Sequence, residues 1–238
     1  MKILKETLKA HLLLFDQSKL TLPTNQSLVR YLVAFLISGV FLLWAVNQLV
    51  TLVEIDFPLA DRFLISFILL FSSLVVVRLV VKKDWSYIGL RGWSKWTSRE
   101  KLYAIQVIPL AVVVFGFVFQ DLFRGLISEN GLIGFLLVNL LFGIIWGFYQ
   151  EFAYRGVLQT LLTSKFGPWI GVFTANLIFT FGPLHWSIYG RITEDFSAIM
   201  IFVPIFAIGL AFGLIYHRSG NIWLPAILHG LWPLNMVG

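Results

Sequence analysis

Long apolar runs separated by short polar clusters dominate the chain. A hydrocarbon layer needs roughly 20 apolar residues per crossing helix, and uncharged stretches of about that length recur at 31–53, 102–120, 130–150, 166–190 and 196–217. Two more stretches qualify with allowances. In 63–81 the charge of Arg78 lies near one end, where a guanidinium can snorkel to the headgroups, and 219–238 contains Pro225 and Pro233. The pattern predicts an all-α fold, a polytopic transmembrane helical bundle of about seven spans. Trp85, Trp93 and Trp96 fit an interfacial hairpin or half-helix between spans.

Composition strengthens this picture. With 58% hydrophobic residues, 13% charged residues and a mean hydropathy of +0.86, the chain has more apolar surface than a soluble core can hide. No linker or low-complexity tract divides it, so 31–238 reads as one membrane domain preceded by an N-terminal cytoplasmic or interfacial segment, 1–30. That segment lacks the compact apolar core and cleavage site of a signal peptide. Lys2, Lys5 and Lys9 with Leu4, Leu8 and Leu12 suit a basic amphipathic helix on an anionic leaflet, and equally a disordered tail.

Charge then orients the bundle, because short loops rich in Lys and Arg stay in the cytoplasm. Segment 1–30 and segment 82–101, with Lys82, Lys83, Arg91, Lys95, Arg99 and Lys101, both read as cytoplasmic, while Glu54, Asp56 and Asp61 mark the opposite side. The N-terminus is therefore expected in the cytoplasm, and the protein in the plasma or another internal membrane of a prokaryote. The net charge of +6 is topological, and no nucleic-acid partner is expected. With no cysteine, disulfides, thiolate nucleophiles and Cys-ligated metals are excluded. Gly143-xxx-Gly147 and Gly209-xxx-Gly213 allow close helix approach and read as ordinary packing.

Chemistry is sought where ionisable groups fall at membrane depth, since a charge at the bilayer centre costs at least ~2.5 kcal/mol unless paired or hydrated. Glu151 and Arg155 interrupt an apolar stretch and share a helical face at i,i+4; a structural ion pair would look the same. His185 ends one apolar run and His229 sits inside another. One membrane histidine is usually a helix contact. Two of them with a Glu/Arg pair on three predicted spans suggest one convergent site. At ~1.5 Å per residue, Glu151 lies about 18 Å from the helix end near Thr163, and His229 about 12 Å from the start near Asn221.

These residues resemble the motif set of the CAAX-protease and bacteriocin-processing family, the intramembrane endopeptidases similar to type II CAAX prenyl endopeptidases. Gln150-Glu151-Phe-Ala-Tyr154-Arg155 resembles its Glu-Glu-x-x-x-Arg motif, Phe181-Gly-Pro-Leu-His185 its Phe-x-x-x-His, and His229-Gly-Leu-Trp-Pro233 its His-x-x-x-Asn. Asn176-Leu-Ile-Phe-Thr-Phe-Gly, Ile222-Trp-Leu-Pro-Ala-Ile-Leu and Tyr87-Ile-Gly-Leu-Arg91 look similar to family sequence too, so the resemblance covers about 85–238. It implies a helical cavity in which water, activated by glutamate and histidine, attacks a peptide carbonyl without metal or cofactor. Gln150, Glu151, Arg155, His185 and His229 would then form the site, with Tyr154, Phe181 and Pro233 supporting it. The partners implied are membrane lipids and a membrane-embedded or lipidated peptide, or a membrane protein. Zinc on two histidines and a carboxylate is the competing reading, although no His-Glu-x-x-His helix is present.

Two motif positions are altered. The first glutamate is Gln150, whose amide has no basic lone pair, and the oxyanion asparagine is Pro233, which has no donor. Three accounts fit: an isosteric replacement arresting an active protease, a divergent enzyme with Glu151 as base, or a pseudoprotease acting in assembly, immunity or scaffolding. A transporter also uses buried charges and histidines, but no inverted repeat is evident.

Overall fold

The computed structural model describes residues 22–23, 27–53 and 58–232, and every regular element among them is helical. The basic segment before residue 22, Glu54, Asp56 and Pro233 lie outside the described residues. Helix α1 is continuous through Leu28–Phe35, a π-helical Leu36–Phe41 and Leu42–Val53. Helix α2 is Pro58–Val81, and two 3-10 turns, Trp85–Ile88 and Trp93–Lys95, lead to α3, Ser98–Val118. Helix α4, Gln120–Gly134, breaks at Gly131, where φ is 68° and ψ 164°. Helix α5 runs unbroken through Phe135–Leu140, Leu141–Glu151, Phe152–Gln159 and Thr160–Phe166, its first and third parts π-helical. Then come α6, Pro168–Phe181, α7, Trp186–Glu194, α8, Phe202–Ser219, and α9, Trp223–Gly230, with 3-10 turns at Pro183–His185 and Phe196–Ile201.

The fold is an all-α membrane helical bundle. Four helical stretches are long and apolar enough to cross a bilayer, Leu28–Leu49, Leu64–Val81, Glu100–Val118 and Phe196–Ser219. Two of the seven predicted spans are revised. The 166–190 stretch is divided at Gly182, whose backbone is extended, as a residue preceding proline prefers, so α6 has only 14 residues. The 219–238 stretch begins with a turn at Gly220, and the helix that follows, α9, has eight residues. Each alone is shorter than the hydrocarbon layer.

Polarity is inverted relative to a soluble protein. Only 6% of the apolar α3 window is buried, and Phe117, Val113 and Leu79 are among its neighbours' and its own outward, exposed side chains. The interior holds Gln150, Glu151, Arg155, Gln159, Thr160 and Asn176, all buried together with Tyr149, Phe152 and Tyr154 of α5. Lipid solvates the outer face, and polar groups inside must find each other.

Three glycines set the α5–α9 distance. A Cβ on Gly143 would stand 2.6 Å from the Gly230 carbonyl oxygen, and one on Gly147 2.7 Å from the Gly230 nitrogen. The predicted packing role of Gly143-xxx-Gly147 is thus a specific seat for α9. A clamp holds the other end of that helix. Arg91 donates to Glu100 at 2.6 Å and to the carbonyls of Ser219 and Gly220 at 2.9 and 2.8 Å. Asn221 donates to Glu100 at 3.1 Å and accepts from the Trp223 N–H at 3.0 Å. The buried Glu100 also closes the capping box of α3 with Thr97. Gly89, at φ +82°, comes so close to Gly220 that a Cβ would lie 2.8 Å from its oxygen, and its carbonyl accepts from Ile222 at 3.1 Å. The predicted interfacial tryptophans divide here: Trp96 is buried and donates to the Arg91 carbonyl, whereas Trp85 and Trp93 are exposed.

The glycine seat has a direct test. Gly147→Ala should lower the stability of the detergent-solubilised protein by about 1–3 kcal/mol, the usual cost of overpacking, read as a lower melting temperature. Gly116→Ala is the control, because nothing lies within 4 Å of a Cβ there, and it should not lower the melting temperature.

Candidate active site

Helix α5 supplies the first half of the site. Gln150, Glu151, Tyr154 and Arg155 occupy two turns where the helix widens into its π-helical part, Phe152–Gln159, a distortion found disproportionately at functional sites. The Oε1 of Glu151 lies 2.7 Å from His229 Nδ1 and its Oε2 3.4 Å from Arg155 Nε, with neither Glu151 nor Arg155 exposed. An ionised carboxylate only accepts, so Nδ1 of His229 carries the shared proton. His185 is anchored in the same way: its Nδ1 is 2.9 Å from the Phe179 carbonyl oxygen, which also accepts only.

Arg155 has further partners. Its Nη2 donates to the Gly209 carbonyl at 2.7 Å and to Asn176 Oδ1 at 3.4 Å, and its guanidinium lies 4.0 Å from the centre of the Phe179 ring. Asn176 in turn donates to the Phe206 carbonyl at 2.9 Å. One turn on, Gln159 donates to the Gly213 carbonyl at 2.8 Å, and Thr160 and Tyr216 share a hydrogen bond of 3.1 Å. Gly209-xxx-Gly213 therefore does more than pack: a Cβ at Gly209 would collide with Asn176 and stand 3.0 Å from Arg155 Nη2, and one at Gly213 would stand 3.0 Å from Gln159. The bare stripe opens two carbonyls of α8 to side chains of α5.

A cavity of about 320 Å³ lies beside this network. Its polar lining consists of Gln150, His185, Ser187, Arg191 and His229, and its apolar wall includes Trp146, Phe212 and Trp232. Glu151 and Arg155 do not line it. The Phe179 ring stands between the histidines, its centre 5.3 Å from His185 and 5.7 Å from His229, both edge-on.

Of the residues singled out from sequence, Glu151, Arg155 and His229 are joined by direct contacts, and Gln150 and His185 share the cavity with His229. Tyr154 is buried and donates to the Gly39 carbonyl at 3.3 Å, with its ring edge-on to Phe35 and Phe179. Phe181 stands apart: it is 45% exposed and packs on Phe202. The aromatic at the site is Phe179, two residues earlier. Asn176, Gly209 and Phe179 were not predicted as site residues; Asn176 and Phe179 lay within sequence already similar to the family, and only their residue types marked them. Among the described residues no group of three His, Cys, Asp or Glu side chains is arranged to hold a metal ion, and the carboxylate required by the zinc reading is committed to Arg155 and His229.

Comparison with known proteins bears on this arrangement. Residues 131–234 match the family model described as type II CAAX prenyl endopeptidase Rce1-like. This stretch is similar to an Rce1-like domain. It begins at the Gly131 break and takes in α5 to α9, hence every residue of the cavity, whereas Tyr87–Arg91 lies outside the match. The uncharacterized protein YpbD of Bacillus subtilis (strain 168) is 33% identical over 86 residues, 36% of each chain; the similarity thus spans about a third of that relative's length. No solved structure matches the chain.

The stretch matched by the family model should depend on its buried ion pair. Arg155→Ala strands the Glu151 carboxylate and should destabilise the protein by about 3–5 kcal/mol, seen as loss of monodisperse protein on detergent extraction. Arg155→Lys should recover only part of this, since one ammonium cannot reach Glu151, Gly209 and Asn176 together.

Proposed function

We propose that the chain is an intramembrane endopeptidase in which the Glu151–His229 pair activates water. The observation carrying this reading is the 2.7 Å bond between Glu151 and His229, with His229 lining the cavity that Gln150 and His185 share. A carboxylate holding Nδ1–H fixes the imidazole tautomer and stabilises the imidazolium that forms, as in hydrolytic triads. The opposite ring nitrogen of His229 takes a proton from water, the hydroxide adds to a peptide carbonyl, and the imidazolium returns the proton to the departing amine. His185, neutral with its Nδ1–H given to Phe179, accepts a hydrogen from the same water and orients it. The Gln150 amide donates to the developing oxyanion, worth about 10²–10³ in rate where such a donor is well aimed. Glu151 acts through His229 and not as the base itself.

The substrate is a membrane-embedded or lipidated peptide, consistent with a cavity walled by Trp146, Phe212 and Trp232. The basic end of the bundle, with Lys82, Lys83, Arg91 and Lys95, is cytoplasmic together with the N-terminus, in the plasma or another internal membrane of a prokaryote. Helix α8 runs from the cavity side at Phe202 to the Arg91 clamp at Ser219, so the mouth of the cavity faces away from that basic end. A second reading, a pseudoprotease that binds a peptide or membrane partner without cleaving it, is favoured by one observation: among the described residues no carboxylate lines the cavity, and Gln150 stands at the position of the family's first glutamate.

Cleavage of hydrophobic and lipidated reporter peptides in nanodiscs separates these readings. The chain as it stands should cleave, His229→Ala should lower kcat by at least ~100-fold, and Gln150→Glu, which puts a carboxylate in place of the oxyanion donor, should lower it too. Cleavage by Gln150→Glu alone would overturn His229 as base and identify an arrested protease. Peptide retention with no cleavage by either form identifies the binding protein, and proton-coupled solute uptake would sink both.

A further inference from the structure

A smaller pocket of about 130 Å³ lies between α3, α8 and the start of α9 and shares no lining residue with the cavity. Tyr103 and Val107 line it from α3 and Leu214 and Arg218 from α8, while Ser219 and Leu224 complete it beside the Arg91 clamp. Each of the two long helices thus contributes one polar and one apolar side chain four residues apart, on one face. In both, the polar residue is nearer the helix end: Tyr103 is five residues in from Ser98, and Arg218 is next to the last residue of α8. The pocket is therefore polar at the bilayer surface and apolar further in, which is the polarity of a phospholipid standing in its leaflet.

Two observations point to a ligand there. The Tyr103 hydroxyl oxygen is buried yet has no hydrogen-bond partner among the described residues, an arrangement that folded proteins avoid. The Arg218 guanidinium lies 5.5 Å from the centre of the same Tyr103 ring, so a hydroxyl and a cation stand together. Among the described residues no carboxylate lines the pocket. The acid of this junction, Glu100, is taken up by Arg91, Asn221 and Thr97. The Ser219 hydroxyl is engaged too, donating to the Ile215 carbonyl at 2.8 Å and accepting from the Asn221 N–H at 3.1 Å. A phosphate fits what is left, because a guanidinium fork pairs with its oxygens and a phenol O–H can donate to them. Basic pockets between membrane helices take anionic headgroups in this way.

We propose that this pocket binds an anionic phospholipid, its phosphate held by Arg218 and Tyr103 and one acyl chain lying along Val107 and Leu214. Ser219 belongs to the Arg91 clamp and Leu224 to α9, so an occupied pocket also braces the helix that carries His229. The assignment depends neither on cleavage nor on which leaflet holds the basic end of the bundle.

Lipid titration tests it. The full chain in neutral detergent is titrated with phosphatidylglycerol or with phosphatidylcholine of the same acyl chains, bound lipid is counted by native mass spectrometry, and the melting temperature is followed. The first phosphatidylglycerol should bind about fivefold tighter than the first phosphatidylcholine, the gain expected from one cation at a membrane surface, and should raise the melting temperature further. Arg218→Gln should bring the two lipids to parity. Tyr103→Phe should reduce the preference without lowering the melting temperature of the lipid-free protein, because it deletes a hydroxyl that bonds to no described residue. That variant keeps the test decisive should Arg218→Gln fail to fold. Lys83→Gln, outside the pocket, should keep the full preference. Equal binding of the two lipids, or an unchanged preference in either pocket variant, overturns the site. An equal loss of preference in Lys83→Gln overturns it in favour of diffuse surface charge. Stabilisation by inorganic phosphate or glycerol phosphate equal to that by phosphatidylglycerol overturns the lipid in favour of a free anion.

Discussion

A guanidinium with no exposure to solvent, at the centre of an apolar bundle, is the constraint around which this structure is built. Removing an ion from water costs several kcal/mol even after relaxation, and Arg155 offsets that cost with four different partners: the Glu151 carboxylate, the Gly209 carbonyl, Asn176 and the face of Phe179. These partners lie on three helices, Glu151 on α5, Asn176 and Phe179 on α6 and Gly209 on α8, so the charge ties α5, α6 and α8 together. The carbonyl of Gly209 is reachable only because α8 has no side chain there. Compensating one charge thereby dictates a glycine on one helix, an asparagine on a second and the aromatic that flanks both histidines.

The same compensation decides what Glu151 can do. Its two oxygens are divided between Arg155 and His229, so its negative charge is held on one side by a fixed cation and on the other by an imidazole N–H. A carboxylate whose two oxygens are so engaged has no oxygen left to face the cavity. It is well suited to orienting the ring that reaches the cavity. The glycine seat at Gly143, Gly147 and Gly230 and the Arg91–Glu100–Asn221 clamp hold α9 at both ends, which keeps His229 in hydrogen-bonding range of a residue 78 positions away.

Much of the site was legible in the sequence for one reason: ionisable groups at membrane depth are conspicuous. Glu151, Arg155 and His229 stood out as costs in need of an explanation, and their contacts are that explanation. Phe179, Asn176 and Gly209 carry no such cost, so nothing in hydropathy distinguishes them from packing. A reader of motif spacing turns to Phe181, whose ring faces Phe202. The fold was legible to the same depth. Hydropathy measures how long a chain stays apolar, which reveals a bundle of buried and lipid-facing helices, but it does not register where the backbone leaves the helix inside an apolar run. Gly182, held extended before Pro183, is such a place, and that break lets His185 turn back onto the Phe179 carbonyl. The Arg91 clamp was similarly invisible, because two of its acceptors are backbone carbonyls more than a hundred residues away.

Helix geometry finally separates two residues that a sequence reading is tempted to exchange. Successive residues on an α-helix point about 100° apart, so of Gln150 and Glu151 one faces the cavity while the other faces the ion-pair network. Gln150 lines the cavity and Glu151 does not. Losing a base at position 150 therefore cannot be repaired by sliding the same function one residue along the chain, for that would require rotating α5 and breaking the contacts of Arg155. Of the polar groups that face the cavity, Gln150, His185, Ser187, Arg191 and His229, the two imidazoles are the ones suited to take a proton, each with its Nδ1 engaged by an oxygen of the protein. Any hydrolytic chemistry here has to pass through a histidine, and His229 is the one with a carboxylate behind it.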